Sequence, residues 1–209
     1  MLRKREIAND LYAIEAVQID SNAPFTWTSG IQSPIYCDNR LTMSYPKIRE
    51  KIAEAFIELI NRLDEKPDVI AGCATAGIPH AAWIAEKTGL PMVYVRSKPK
   101  EHGKGNQIEG EIVPGQNVVV IEDLISTGGS SLNAALALQQ EGANILGVLA
   151  IFSYGLTQAS EAFNREGLSM QSLTNFDVLL DELVIAEKLT TEEQQQLLTW
   201  RDGLFKQLT

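Results

Sequence analysis

Residues 117–131 read NVVVIEDLISTGGSS, and they constrain the fold more than any other stretch. Val118, Val119, Val120 and Ile121 leave the strand no polar face, so it must be covered on both sides, as in a parallel sheet sandwiched by helices. The run leads directly into two acids, Glu122 and Asp123, then through Leu124 and Ile125 to Ser126, Thr127, Gly128, Gly129 and Ser130, where a helical pattern begins. In open parallel sheets, ligands bind at the carboxyl ends of the strands. Gly128 and Gly129 allow a tight turn with inward N–H groups, and the helix behind them offers its positive dipole end. With the hydroxyls of Ser126, Thr127 and Ser130, this is a cradle for a phosphate. The acids at the lip of the strand suit a diol, such as the 2- and 3-hydroxyls of ribose. A Gly-Gly turn alone would be an ordinary strand–turn–helix; the acid pair at fixed offset is what makes it chemical. The lysine of a P-loop is absent, and so is the G-x-G-x-x-G of a dinucleotide site.

The rest of the chain fits the same architecture. Residues 3–19 carry Ile7, Leu11, Ile14 and Val17 at helical spacing, and residues 46–63 form a strongly amphipathic helix with Pro46 in its first turn. Between them lies a Ser/Thr/Gly/Pro-rich loop with short extended pieces. Short apolar runs at 68–72, 92–96, 117–121 and 145–152 read as strands. They alternate with helices over 78–89, ending at Gly89, and 130–142, stopped by Gly142. Residues 97–116 are polar and without periodicity. The C-terminal segment from Thr190 opens with a Thr-x-x-Glu capping box and is helical. The expected fold is α/β: a parallel sheet flanked by helices, in one domain.

The chain has 209 residues, 44% of them hydrophobic, enough for one sizeable core. Its net charge of −9 disfavours non-specific contact with nucleic acid or an anionic membrane. No apolar run approaches the ~20 residues of a spanning helix. Glu6, Asp10 and Glu15 interrupt anything resembling a signal core near the N-terminus. A cytoplasmic protein with reduced thiols at Cys37 and Cys73 is expected. Positive charge nevertheless gathers in residues 96–105, RSKPKEHGKG, where Arg96, Lys98, Lys100 and Lys104 stand with His102. A flexible basic loop of this kind suits closure over a polyanion. No His/Cys/Asp cluster points to a structural metal.

Residues 118–130 resemble the phosphoribosyl pyrophosphate (PRPP) motif of the type I phosphoribosyltransferases. Two further segments resemble the orotate branch of that family: R-S-K-x-K-x-H-G from Arg96, and F-T-x-x-S-G-x-x-S-P-x-Y from Phe25 to Tyr36. The resemblance spans about residues 3–155. It implies a core over about 46–155, under a small hood built mainly by about 1–45, to which the C-terminal segment can add. It implies transfer of the phosphoribosyl group from PRPP to orotate, giving orotidine 5′-phosphate and pyrophosphate in de novo pyrimidine (UMP) biosynthesis. PRPP would be bound by Arg96, Lys100, His102 and the run from Glu122 to Ser130, and orotate by Ser29, Gly30 and Ser126. Lys100, His102 and Asp123 would be catalytic. Mg²⁺ would be held mainly by substrate, with no dedicated protein ligands, and the enzyme would be a homodimer with shared active sites. Small residues in 72–79, GCATAGIP, suit close approach of a pyrophosphate to the backbone, and equally a tight turn. Thr28 and Ala76 stand where the better-studied branch has lysine, and Tyr154 or a neighbour where it has a base-contacting arginine.

Three alternatives remain at this level. A transferase for a purine or for uracil would share the ribose-phosphate motif but not the other two segments. A PRPP-sensing regulator on the same fold would need a nucleic-acid surface, which the charge does not offer. A flavodoxin-like binding module would not need the acid pair. His80 reads as a packing or capping residue, Trp83 and Trp200 as core or interface residues, and Trp27, in the hood segment, as one that can shape the base pocket. Cys73 reads as a small residue whose thiol is open to alkylation.

Overall fold

The computed structural model describes residues 2–20, 25–26, 32–98 and 107–208. The chain opens with helix α1, Leu2–Ala13, followed by strand β1, Val17–Ile19. The helical pattern of 3–19 is therefore cut short. Glu15 takes a left-handed conformation (φ 59°), and the Ala16 N–H donates to the Leu11 carbonyl at 2.9 Å. This is a Schellman-type stop that the apolar spacing does not reveal. Ile7 and Leu11 are buried from the helix and Val17 from the strand.

Strands β2 (Phe25–Thr26), β3 (Gln32–Ser33) and β4 (Ile35–Cys37) make two small antiparallel pairs, β1 with β4 and β2 with β3. A 3₁₀ helix, Asn39–Ser44, then leads into α2, Pro46–Ile60, with Pro46 in its first turn. Next come β5 (Val69–Cys73), α3 (Gly77–Thr88), β6 (Met92–Val95), β7 (Ile108–Glu109), β8 (Asn117–Ile125), α4 (Gly129–Gln140) and β9 (Asn144–Ser153). The chain continues with α5 (Thr157–Arg165), β10 (Met170–Asn175), α6 (Phe176–Ile185) and α7 (Thr191–Leu208).

One six-stranded sheet in the order β10-β9-β8-β5-β6-β7 organises the molecule. It is parallel except for β7, a two-residue strand in the segment that shows no periodicity. From β5 the chain steps to β6 on one side, then returns to place β8 on the other. The order reverses between β5 and β8, so the switch-point crevice opens at their carboxyl ends. Side chains of β8 alternate between two cores. Val119 and Ile121 pack with Ile7, Phe56, Ile84 and Leu180 from α1, α2, α3 and α6. Val118 and Val120 pack with Ala135 and Leu138 of α4 and Phe163 of α5. The double-sided burial expected of 118–121 is thus met.

The helix ends follow local chemistry. Gly89 (φ 69°) closes α3, and Asn175 caps α6 by accepting from the Val178 N–H at 3.0 Å. Thr190 and Glu193 form the expected capping box. The Thr190 N–H donates to Glu193 Oε2 at 2.8 Å, and the Glu193 N–H to Thr190 Oγ1 at 3.1 Å.

Candidate active site

Strand β8 does not stop at Ile121. It runs on to Ile125, paired with β9 from Asn117↔Asn144 to Ile125↔Ser153. The acids therefore sit inside its C-terminal half, beyond the final β5 pair, Gly72↔Ile121. Glu122 is 6% exposed and Asp123 half-buried. The Asp123 N–H donates to Glu122 Oε1 at 3.0 Å. Burial first, and then the neighbouring Asp123, push the Glu122 carboxyl up to about 8. Burial also raises Asp123. Burial first, and then the Glu122 carboxyl, raise the Cys73 thiol, at the end of β5, well above its usual range. Cys73 is 1% exposed, so the expected openness to alkylation does not hold: the thiol is enclosed and protonated.

Beyond Ile125 the chain turns through Ser126 and Thr127 to Gly128, whose φ is 82°. A Cβ at Gly128 would stand 3.1 Å from Phe163 Cε2 and 3.3 Å from Ala159 Cβ, so the turn lies tight against α5. At Gly129 a Cβ would meet nothing within 4 Å. Gly129 and Ser130 are exposed, and no side chain caps the first turn of α4. The result is a helix N-terminus facing open space, with hydroxyls beside it, which suits a phosphate. Ile125 spends its side chain in the core and its carbonyl on the Tyr154 N–H at 3.1 Å, so only main-chain contact is left to offer a ligand. Leu124 is partly buried.

The turn after β5 explains two of the small residues in 72–79. A Cβ on Gly77 would overlap the Ile121 carbonyl, and one on Gly72 would lie 3.0 Å from both Ile78 Cα and Ala81 Cβ. Both glycines let α3 sit close on the sheet. The Ala74–Thr75 peptide is cis. His80 packs as expected: it is 1% exposed, lies edge-on to Trp83 with ring centroids 5.2 Å apart, and burial pushes it down to about 4.

Arg96 follows β6, on the far side of β5 from the acids. Its N–H donates to the Gln107 carbonyl at 2.9 Å, and its guanidinium stands 4.0 Å from Glu109, too far for a hydrogen bond. Lys100, His102, Ser29 and Gly30, with Trp27 and Thr28, lie outside the described residues. Tyr154 is buried against Phe152 and Phe176. Among the described residues no group of three or more His, Cys, Asp or Glu gathers as metal ligands.

The structure also brings in residues that sequence reasoning passed over. Burial first, and then Asp123 and Asp38, raise the Cys37 thiol, and Asp38 grips Arg40 through two contacts of 2.5 and 2.8 Å. Asn39, fully buried, donates from Nδ2 to the Asp123 carbonyl at 2.7 Å. These residues lie in YCDNR, an aperiodic loop segment. The one local signal is Asp38, which accepts from the Arg40 N–H as the cap of the 3₁₀ helix.

A strand buried on both faces, a paired-acid lip, an uncapped glycine turn and a switch-point crevice together define a site for a phosphorylated sugar. Residues 44–171 match the family model described as the phosphoribosyl transferase domain. The chain belongs to the phosphoribosyltransferase family, within its orotate phosphoribosyltransferase branch. It is 60% identical over 200 residues to an orotate phosphoribosyltransferase of Oceanobacillus iheyensis, covering 96% of this chain and 99% of the relative. It is 56% identical to one from Fusobacterium nucleatum over 202 residues, 96% of each. Among solved structures, the Aeropyrum pernix orotate phosphoribosyltransferase superposes with a TM-score of 0.72 at 27% identity, covering 85% of this chain and 97% of the other. The Mycobacterium tuberculosis enzyme in complex with PRPP gives 0.67 at 28% identity, covering 85% and 98%.

Proposed function

We propose that the chain transfers the 5-phosphoribosyl group of PRPP to orotate, giving orotidine 5′-phosphate and pyrophosphate in pyrimidine biosynthesis. The observation that carries this is the acid pair of β8 standing one turn before an open helix N-terminus at the switch point. That spacing matches a ribose with its 5-phosphate. In the reaction the C1–O bond to pyrophosphate breaks, the C1–N bond to orotate forms, and the orotate N–H proton leaves to solvent. The transition state carries positive charge on the ribose and negative charge on the leaving group, so catalysis consists of positioning and charge stabilisation.

In this reading Glu122 and Asp123 accept the ribose hydroxyls, with Asp123 near the cationic ring. Ser126–Ser130 and the first N–H groups of α4 hold the 5-phosphate. Arg96 and Lys100 neutralise the pyrophosphate, and His102 donates to it. Ser29, Gly30 and Ser126 meet orotate. The N-terminal antiparallel pairs supply the hood over the core. Magnesium fits this donor set as a partner of the substrate: the acid pair provides hard oxygens beside the ribose, and a diphosphate provides the rest. When bound, it would neutralise leaving-group charge.

The proposed assembly is a homodimer, and its surface support is local. Leu41, Met43 and Tyr45 stand exposed along the 3₁₀ helix and its exit, a run of large apolar side chains suited to a second copy. Among the described residues no helix is long and apolar enough to cross a membrane; the compartment proposed is the cytoplasm. Pyrophosphate release measured side by side with orotate, uracil, hypoxanthine and adenine tests the reading. Release with orotate alone supports it, and release with another base in preference to orotate reassigns the acceptor.

A further inference from the structure

Holding a ribose requires the Asp123 carboxyl to stay at a fixed height above the sheet, yet β8 loses one neighbour just before that residue. The β5–β8 register ends at Gly72↔Ile121. On the other side, the β8–β9 register passes from Glu122↔Ala150 to Leu124↔Phe152 without Asp123. The Asp123 carbonyl is met instead by Asn39 Nδ2 at 2.7 Å, from a residue 84 positions earlier that is fully buried. Asn39 is itself fastened. Thr42 Oγ1 donates to the Asn39 carbonyl at 2.6 Å, and that hydroxyl stands 3.5 Å from His80 Nε2 on α3. Thr42 has one hydroxyl proton and gives it to Asn39, so in this contact the imidazole is the donor. The Asn39 amide oxygen is buried and without a hydrogen-bond partner among the described residues.

We propose that Asn39 is a positioning residue: its side-chain amide stands in for the β5 ladder partner that has ended, and fixes the Asp123 main chain and so the carboxyl that holds the ribose. This rests on the reading of Asp123 as a ribose ligand. The test is Asn39→Leu, which keeps the approximate volume and removes the donor. Its KM for PRPP should rise roughly fivefold to tenfold, the effect of one misplaced hydrogen-bond acceptor. Inorganic phosphate, which engages only the glycine turn, should bind by calorimetry as it does to wild type, and the KM for orotate should hold. In an Asp123→Asn background the Asn39→Leu change should add no further loss of PRPP affinity, because the two act as one unit. A merely structural asparagine would lower the thermal midpoint and the active fraction while leaving the PRPP KM of the folded enzyme at the wild-type value. That result, or equal weakening of PRPP and phosphate, overturns the proposal. If Asn39→Leu does not fold, Asn39→Ser is judged by the same criteria. The wild-type protein separates the two claims: failure of PRPP to bind there overturns the functional reading as well, whereas wild-type binding matched by the variant overturns only the role of Asn39.

Discussion

Glu122 and Asp123 are joined through the main chain: the Asp123 N–H donates to Glu122 Oε1 at 3.0 Å. Burial first, and then the neighbouring Asp123, push the Glu122 carboxyl up to about 8, so it keeps its proton near neutral pH.

Stability should carry this signature. Glu122 titrates near 8 in the folded chain against an ordinary value of 4.5, so the folded state holds a proton that the unfolded state has lost. Its contribution is present at low pH and is lost as pH rises through that window. His80 acts oppositely: it lies near 4 folded against 6.5, so its effect is destabilising below 6.5 and silent above. Between about pH 6.5 and 8, the stability of ligand-free wild type should therefore fall by up to about 1.4 kcal/mol per pH unit more than that of Glu122→Gln. Thermal midpoints of both proteins across that range check this, and parallel slopes would refute it.

The glycine turn should reject bulk. Gly128 has φ 82° and lies against Phe163 and Ala159, so Gly128→Val is strained in its backbone and in its packing on α5. PRPP and inorganic phosphate should both bind at least about tenfold more weakly by calorimetry, with the circular dichroism spectrum of the fold retained. Unchanged phosphate affinity would move the phosphate site elsewhere.

Cys73 should be chemically silent in the folded chain. Its thiol is enclosed, and burial with the nearby Glu122 carboxyl holds it protonated. Iodoacetamide at neutral pH should label it only after denaturation, as read by peptide mass. Rapid labelling of Cys73 in native protein would mean that the β5 end opens.

The shared-site assembly is tested by mixing. Lys100→Ala and Asp123→Ala subunits, each nearly inactive alone, are allowed to exchange. If Lys100 serves the neighbouring site, half the dimers are mixed and each holds one intact site, so roughly a quarter of wild-type activity returns. If it serves its own site, nothing returns despite demonstrated exchange.

Much of this site was legible because its residues are contiguous. The run from Val118 to Ser130 holds a buried strand, the acids and the glycine turn in one stretch, and the β/α alternation around it dictated a covered parallel sheet. What escaped were features made by distant pairing or by single dihedrals. Glu15 ends α1 with a left-handed residue inside an intact apolar rhythm. The α5, β10 and α6 elements were not resolved from the sequence, because Met170–Asn175 mixes polar and apolar residues at the sheet edge and has no continuous apolar run. Asn39 reaches Asp123 across 84 positions from a segment with no periodicity, so nothing local announced it. Conversely, Gly72 and Gly77, suited on sequence to either ligand approach or tight packing, are fully accounted for by packing.

In the proposed function, the acid pair at the end of β8 holds the ribose during phosphoribosyl transfer to orotate. The most direct measurement is turnover of Asp123→Asn at saturating PRPP and orotate, beside its thermal midpoint. Asparagine keeps the size and removes the charge facing the cationic ring. The kcat should fall about tenfold or more, with the midpoint close to wild type. Near wild-type turnover in a folded Asp123→Asn protein would contradict it.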